Sequence, residues 1–381
     1  MEVYPLIFEP IFKPRLWGGR RLAERLHKHP PDGERIGESW EIAHLEDNES
    51  VVRNGPARGR KLGELLQTWG QDLVGRAPLV EGRFPLLLKF LDAREALSVQ
   101  VHPAPSEVRV RAGQGDQGGG APRGKHEAWY VVEADPGGCI YRGLEDGVDE
   151  RAMREAIAGG SIESLLRRVP VKKGQGFYLP GGTLHALGGG VLVAEVQTPS
   201  DVTYRVYDWQ RTDPSTGAPR ALHVAEALEC LSFDRRLFPE EHPEHVASVW
   251  TAVTSLIRCG SFVVERVRMI DGLEQPIPYE EMVIWMVLEG RGEIRCPGLG
   301  EPASFAVGDS VLLPAALRGA VVKTHSECMW LEVSVPVRSS LAEHSRPDAR
   351  TLREAGPGSA GGLVPLGVPV PPRKRINDTQ G

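Results

Sequence analysis

The segment Leu97 to Pro103 reads Leu-Ser-Val-Gln-Val-His-Pro, the alternation of a half-buried strand. Residues two apart on a strand share a face, so Ser98, Gln100 and His102 point one way while Val99 and Val101 pack the other. An imidazole and a side-chain carbonyl side by side on a rigid strand supply half of a metal site. Two later residues can supply the rest. Glu127 opens the strand pattern Glu-Ala-Trp-Tyr-Val-Val-Glu, and His185 closes Gly-Gln-Gly-Phe-Tyr-Leu-Pro-Gly-Gly-Thr-Leu-His. Mixed oxygen and imidazole donors suit Zn²⁺, and also Mn²⁺, Fe²⁺ or Co²⁺. With one carboxylate, a divalent ion there keeps a net charge of about +1, which attracts and polarises an oxygen-rich or anionic ligand. Each residue also has a plain structural alternative, Glu127 as a strand-edge charge and His185 as a turn histidine.

The elements that must position these groups are mostly short strands. Residues 1–19 read as extended and end in Trp17-Gly18-Gly19, residues 20–27 as a short helix, and residues 37–42 as a strand entered from a glycine turn. Leucines near helical spacing predict an amphipathic helix over 62–73. Residues 84–92 form a buried strand pattern carrying one cation, Lys89. A glycine-rich stretch, Gly113 to Gly124, lies between two of the candidate ligand segments and reads either as a surface connection or as a lid. A helical insertion is expected near 149–168, a continuous apolar strand with inset polar residues over 191–207, and a helix over 223–231. Strands resume near Val246, and from Val337 the hydrophobic periodicity stops in a Pro-, Gly-, Ser- and Arg-rich tail expected to be disordered.

Composition narrows the class. The 381 residues suffice for two domains, and 44 glycines with 31 prolines favour strands and turns over long helices. A net charge of −6 with mixed signs gives no nucleic-acid footprint. The start, Met-Glu-Val-Tyr-Pro, lacks the basic and apolar regions of a signal peptide, and no apolar run of about 18 residues predicts a membrane span. Five scattered cysteines fit reduced thiols and a cytoplasmic protein.

An internal repeat separates scaffold from chemistry. Glu127 to Glu133 aligns with Val283 to Glu289, placing Trp129 opposite Trp285. Downstream, Gly174, Pro180, Gly182 and His185 align with Gly308, Pro314, Ala316 and Gly319. Such repeated strand pairs predict a mainly β protein of two jelly-roll units. Hydrophobics and turn residues recur, whereas Glu127 becomes Val283 and His185 becomes Gly319. The two polar groups are therefore not demanded by the shared scaffold, and the second unit is expected to be metal-free.

Several linked segments carry a resemblance. Leu-Ser-Val-Gln-Val-His-Pro, Gly-Lys-His-Glu-Ala-Trp-Tyr, Leu-Pro-Gly-Gly-Thr-Leu-His-Ala and Val-Ala-Glu-Val-Gln-Thr-Pro-Ser-Asp-Val-Thr-Tyr-Arg-Val-Tyr-Asp-Trp, together with Phe-Glu-Pro-Ile-Phe-Lys-Pro-Arg-Leu-Trp-Gly-Gly and Gly-Glu-Ser-Trp-Glu, resemble the type I mannose-6-phosphate isomerases, most closely their short bacterial form. The similarity runs from about Phe8 to Arg211 and more weakly to about Val335. It implies two cupin-type jelly rolls, here a catalytic unit over 1–240 and a metal-free unit over 241–337 before the tail 338–381. It also implies one zinc per chain and interconversion of mannose 6-phosphate and fructose 6-phosphate. The family's metal ligands fall on Gln100, His102, Glu127 and His185, its catalytic arginine on Arg205, its pocket lysines on Lys89 and Lys125, its strand serine on Ser98, and nearby acids on Glu195 and Asp201. His126, the glycine-rich stretch and the tail depart from the family pattern.

Aldose–ketose isomerisation through a cis-enediol needs a base for the carbon proton, stabilisation of the enediolate oxygens and a grip on phosphate. Arg205 is permanently charged and planar, suited to either of the last two tasks, with an ion pair to Asp201 or Asp208 as its structural alternative. Lys89, Lys125 and Ser98 are further donors to an anion. The base is Lys125, Glu195 or a metal-held water, with His126 a minor competitor. Trp129 reads as core because of its repeat partner, while Trp17 and Trp40 could wall a sugar site. The expected partner is a small sugar phosphate, with the protein a monomer or homodimer. Alternatives are a metal-dependent isomerase of another sugar phosphate and a non-catalytic sugar-phosphate-binding cupin.

Overall fold

The computed structural model describes residues 2–104, 124–213, 216–233 and 243–337. All but the last glycine of the glycine-rich stretch, and the tail from residue 338, lie outside them. The described chain is mainly β, arranged as two jelly rolls. The first sets a six-stranded sheet, ordered Ile11–Gly19, Ile36–Ile42, Leu87–Ala93, Val191–Gln197, Glu127–Ala134, Gly176–Leu179, against a five-stranded sheet, ordered Tyr204–Tyr207, Val99–Val101, His185–Leu187, Cys139–Leu144, Leu166–Pro170. The second sets a seven-stranded sheet, centred on Val283–Glu289 and Cys328–Ser334, with a four-stranded one centred on Val321–Thr324 and Arg291–Arg295.

Strand alternation decides which core each side chain enters. On the six-stranded sheet, Leu88, Phe90, Ala128, Tyr130, Leu192, Ala194 and Val196 face outward and join a continuous core with Ile284, Met286, Leu312 and Leu331 of the second jelly roll. Their neighbours Leu91, Trp129, Val131, Phe177, Leu179 and Val193 face inward, between the two sheets of the first. On the five-stranded sheet Val99, Val101, Ala186 and Val206 face outward and are covered by Met153 and Ala227, from the helices Glu150–Gly159 and Val224–Cys230. The strand Leu6–Ile7 pairs antiparallel with Ser310–Leu313, tying the start of the chain into the second jelly roll.

The repeat is visible in the hydrogen bonding. Gly174 N–H donates to the Val131 carbonyl at 2.8 Å and Gly308 N–H to the Val287 carbonyl at 2.9 Å, equivalent bonds in the two copies. Both glycines sit at positive φ, +93° and +88°, where a side chain is strained. A third equivalence escapes sequence alignment because the connecting lengths differ. Glu195 pairs with Trp129 in one copy, and Glu332 pairs with Trp285 in the other.

Four expected elements are shorter or broken. The helix predicted over 62–73 ends at Trp69, because Gly70 takes φ +51°, and a separate turn follows at Gln71–Val74. The helix predicted over 20–27 shrinks to Arg21–Glu24, with His27 at φ +50°. The insertion near 149–168 is helical only over Glu150–Gly159, capped by the Asp149 carboxylate and stopped by left-handed Gly160. Its remainder is a 3₁₀ turn, Ile162–Leu165, and the edge strand Leu166–Pro170. The strand expected over 191–207 is two strands in different sheets, since the chain crosses the sandwich between Gln197 and Tyr204, at a stretch where Pro199 has no N–H to donate. That crossing sends Glu195 and Arg205 into the same space from opposite walls.

Candidate metal centre

Gln100 lies between His185 on one neighbouring strand and Arg205 on the other, so all three project from one row of the five-stranded sheet. Trp40, Lys89, Glu195, Trp129 and Phe177 form the corresponding row on the facing sheet, and Glu127 pairs with Gln197 beside it. His102 follows the end of its strand and keeps the same parity as Gln100.

His102, Glu127 and His185 converge, with one ligating atom of each within 4.8 Å of the others, all three buried. His185 Nε2 lies 3.1 Å from Glu127 Oε2 and His102 Nε2 lies 3.5 Å from Oε1. Each imidazole is oriented from behind: His102 Nδ1 donates to the Val202 carbonyl at 2.7 Å and His185 Nδ1 to the Thr183 carbonyl at 2.9 Å. This leaves both Nε2 lone pairs aimed at Glu127, the arrangement of metal-binding histidines. Gln100 brings its amide to 3.4 Å from His185 Nε2, and a half-turn of the amide presents its oxygen to the same point.

The electrostatics suit a cation. Burial lowers the pKa of His102 to about 4, assisted by Lys125, so the ring is neutral and its lone pair available. Burial opposes ionisation of Glu127, but Lys125 and then His102 override it and hold the carboxyl well below its ordinary range. Both Glu127 oxygens are buried without a hydrogen bond, although Lys125 Nζ approaches Oε1 to 2.6 Å as an ion pair. A buried carboxylate, its Oε2 without a hydrogen-bond donor, between two oriented imidazoles fits a divalent metal.

The cluster opens into a cavity of about 400 Å³ whose lining includes Ser98, Gln100, Lys125, Glu127, Glu195, Asp201 and Arg205. Lys89 lines it too. Its ammonium lies 3.4 Å from Glu195 and 4.7 Å from the ring centroid of Trp40, which sits behind it, while Trp17 forms part of the wall itself. Burial works against a charged Lys89, but Glu195, Glu38, Asp201 and Glu127 together raise its pKa, so it is a cation in neutral solution. Glu195 moves up, first by burial and then by the charge on Glu127. Its Oε2 accepts a 2.8 Å bond from Trp129 Nε1. Arg205 donates through Nη1 to the Ala221 carbonyl, and its Nε is buried without a partner. The ion pair considered for it is absent among the described residues, since Asp208 is taken by Arg211 and Arg220. His126 is turned onto Tyr178, whose hydroxyl lies 3.0 Å from its Nδ1, and does not line the cavity.

Sequence reading missed Arg15, Glu38 and Arg220 in the lining, and Gln197 behind it. Arg15 donates to Glu38 at 2.6 Å, and Arg220 grips Asp208 with two bonds of 2.7 and 2.5 Å. Gln197, fully buried, donates to the Ser200 carbonyl at 2.6 Å and so fixes the crossing that presents Val202 to His102. Alternation within the strand Ile36–Ile42 marks Glu38 as sharing a face with Trp40; Arg15 and Arg220 have no such signal.

Residues 6–118 match the family description of the phosphomannose isomerase type I catalytic domain. The chain is 35% identical over 333 residues to the mannose-6-phosphate isomerase ManA of Bacillus subtilis, covering 86% of this chain and 99% of that one. It is 34% identical over 339 residues to the mannose-6-phosphate isomerase of Streptococcus mutans, covering 85% and 99%. The crystal structure of mannose 6-phosphate isomerase from Bacillus subtilis superposes with a TM-score of 0.76 at 30% identity, covering 87% of this chain and 99% of that chain.

Proposed function

The chain belongs to the type I phosphomannose isomerase family, and we propose from this that it interconverts mannose 6-phosphate and fructose 6-phosphate at a zinc held by Gln100, His102, Glu127 and His185. The observation that carries the reading is the buried Glu127 carboxylate, paired on one oxygen with Lys125 and facing two imidazoles whose far nitrogens are tied to backbone carbonyls.

A divalent ion bound there supplies Lewis-acid polarisation of the substrate oxygens. The remaining tasks belong to side chains. Glu195 is a buried carboxyl with a raised pKa, which brings its basicity toward that needed to take a proton from carbon and return it to the neighbouring carbon. The Trp129 N–H and the Lys89 ammonium hold that carboxyl in place. Lys125 and Arg205 offer cationic donors from opposite walls to the oxygens that gain charge in a cis-enediol, and Ser98 adds a neutral donor. The buried walls limit water at the reacting carbons.

Running the reaction in D₂O tests this route. A carbon-bound proton that passes through Glu195 exchanges in part with solvent, so fructose 6-phosphate formed from mannose 6-phosphate carries deuterium at C1. Product free of deuterium, with turnover intact, leaves direct hydride transfer or a fully shielded proton, and turnover retained by Glu195→Gln then contradicts the proposed role of Glu195. Comparing mannose 6-phosphate with other aldose phosphates in the same assay tests the choice of sugar.

A further inference from the structure

The metal end of the cavity and its outer end differ in the charges they present. Arg15 and Arg220 line both the catalytic cavity and an adjoining groove of about 880 Å³, whereas Gln100, Lys125, Glu127 and Glu195 line only the cavity. The two arginines therefore stand at the passage between them. They come from opposite parts of the first jelly roll, Arg15 from the strand Ile11–Gly19 and Arg220 from the segment after Tyr204–Tyr207. Each is held by a buried carboxylate. Glu38 takes Arg15 and also the Trp40 indole N–H at 2.6 Å, and Asp208 takes Arg220 and Arg211 together.

We infer that Arg15 and Arg220 hold the phosphate of the sugar phosphate at the outer end of the cavity, so that the sugar is threaded with its reacting carbons toward Glu127 and its phosphate toward the groove. The inference rests on the isomerase reading for the identity of the sugar, but not for the anion. Asp208 balances only one of the two arginines it binds, and Glu38 is shared between Arg15 and Lys89, 4.0 Å away, so cations outnumber acids at the passage itself, with Asp201 inside the cavity and Glu34, Glu95 and Asp213 along the groove beyond. Arg205 adds to the excess. Its guanidinium is held below its ordinary range by burial first, then by Arg220, with Asp208 opposing and Arg211 and Arg15 adding to the repulsion, which a dianion relieves. The carboxylates take the Nε edges of both guanidiniums, and Arg15 Nη1 also donates to the Pro14 carbonyl, which fixes the two groups and leaves their outer Nη N–H groups for a phosphate. Placing phosphate here leaves Arg205, beside Gln100 in the sheet, for the oxygens of the reacting end.

The test is calorimetric titration of the metal-loaded, full-length protein with mannose 6-phosphate and, separately, with inorganic phosphate. Arg220→Gln leaves Asp208 paired with Arg211, and Arg15→Lys leaves Glu38 a cation, so neither strands a buried carboxylate. Both variants should keep the wild-type circular dichroism, and Arg220→Gln should weaken binding of both anions about 10-fold or more, with Arg15→Lys a smaller loss. In turnover, KM should rise more than kcat falls. Unchanged affinity for both anions in both variants overturns the inference, as does a loss confined to kcat. Should the wild type bind mannose 6-phosphate without converting it, the isomerase reading fails, while the phosphate titrations still decide the role of the arginines.

Discussion

At the scale of single residues, burial sets the behaviour of the acids. Glu195 is pushed up in pKa beside a Glu127 that is pushed down, and two carboxyls with divergent basicity in one cavity is the pattern of divided roles. Glu195→Gln should lower kcat by about 10²–10⁴-fold with metal content unchanged, measured by steady-state turnover beside elemental analysis; activity within a few-fold of wild type would remove Glu195 from the reaction. Asp92 lies outside the cavity and carries a different consequence. It is buried, accepts the Arg21 backbone N–H at 2.7 Å, and has a pKa raised by burial from 3.8 to about 6. A carboxyl that holds its proton more tightly when folded favours the native state at low pH, and that contribution is lost as pH rises from about 4 to about 6. Its full size is up to ~3 kcal/mol. Urea titrations should show the stability of wild type falling relative to Asp92→Asn across that window, and parallel curves would contradict it. The candidate ligands were legible at this scale because strand alternation puts Gln100 and His102 on one face and the repeat singles out Glu127 and His185. Arg15 and Arg220 were not, because 205 positions separate them and only the folded sandwich brings them to one opening.

At the scale of elements, the two copies of the repeat use the same turn under different constraint. Gly174 and Gly308 share a positive φ, but a methyl group at Gly174 would meet nothing nearer than 3.4 Å, whereas at Gly308 it would drive into the Leu26 carbonyl. Gly174→Ala should therefore cost about 1–2 kcal/mol, the penalty of the backbone conformation alone. Gly308→Ala should cost more than ~3 kcal/mol, and equal denaturation midpoints would show that the Leu26 contact yields freely. The same comparison clarifies Glu195. Its counterpart Glu332 is half-buried beside a tryptophan, and there the Tyr279 hydroxyl bonds it at 2.5 Å, whereas Glu195 faces the cavity. A scaffold carboxyl recurs in both copies, and the open cavity makes one of them available for chemistry. Sequence reading found the strands but not where they stop. Gly70 and Gly160 halve two expected helices, and the crossing after Gln197 divides one expected strand between two sheets. Apolar periodicity records burial, which continues through such breaks, and so does not mark them.

At the scale of the whole described chain, the two jelly rolls are joined by a shared core, and a buried lysine of the first reaches across to a backbone carbonyl of the second. Lys28 binds Glu41 at 2.8 Å and donates to the Gly308 carbonyl at 2.8 Å. Thermal unfolding should be a single cooperative transition, and Lys28→Ala, which leaves Glu41 without its cation, should lower stability by about 3 kcal/mol or more. Two resolved transitions would contradict the shared core. Two jelly rolls were legible from the repeat, but their common core was not, because an outward-facing Phe90 and an inward-facing Trp129 are equally apolar in sequence. The central claim joins a metal to the isomerisation of a sugar phosphate, and the most direct measurement is conversion of mannose 6-phosphate to fructose 6-phosphate by chelator-stripped protein before and after zinc is returned. Turnover that disappears with the metal and recovers at one zinc per chain is the predicted result. Full turnover by metal-free protein, or stoichiometric zinc binding with no product, would contradict it.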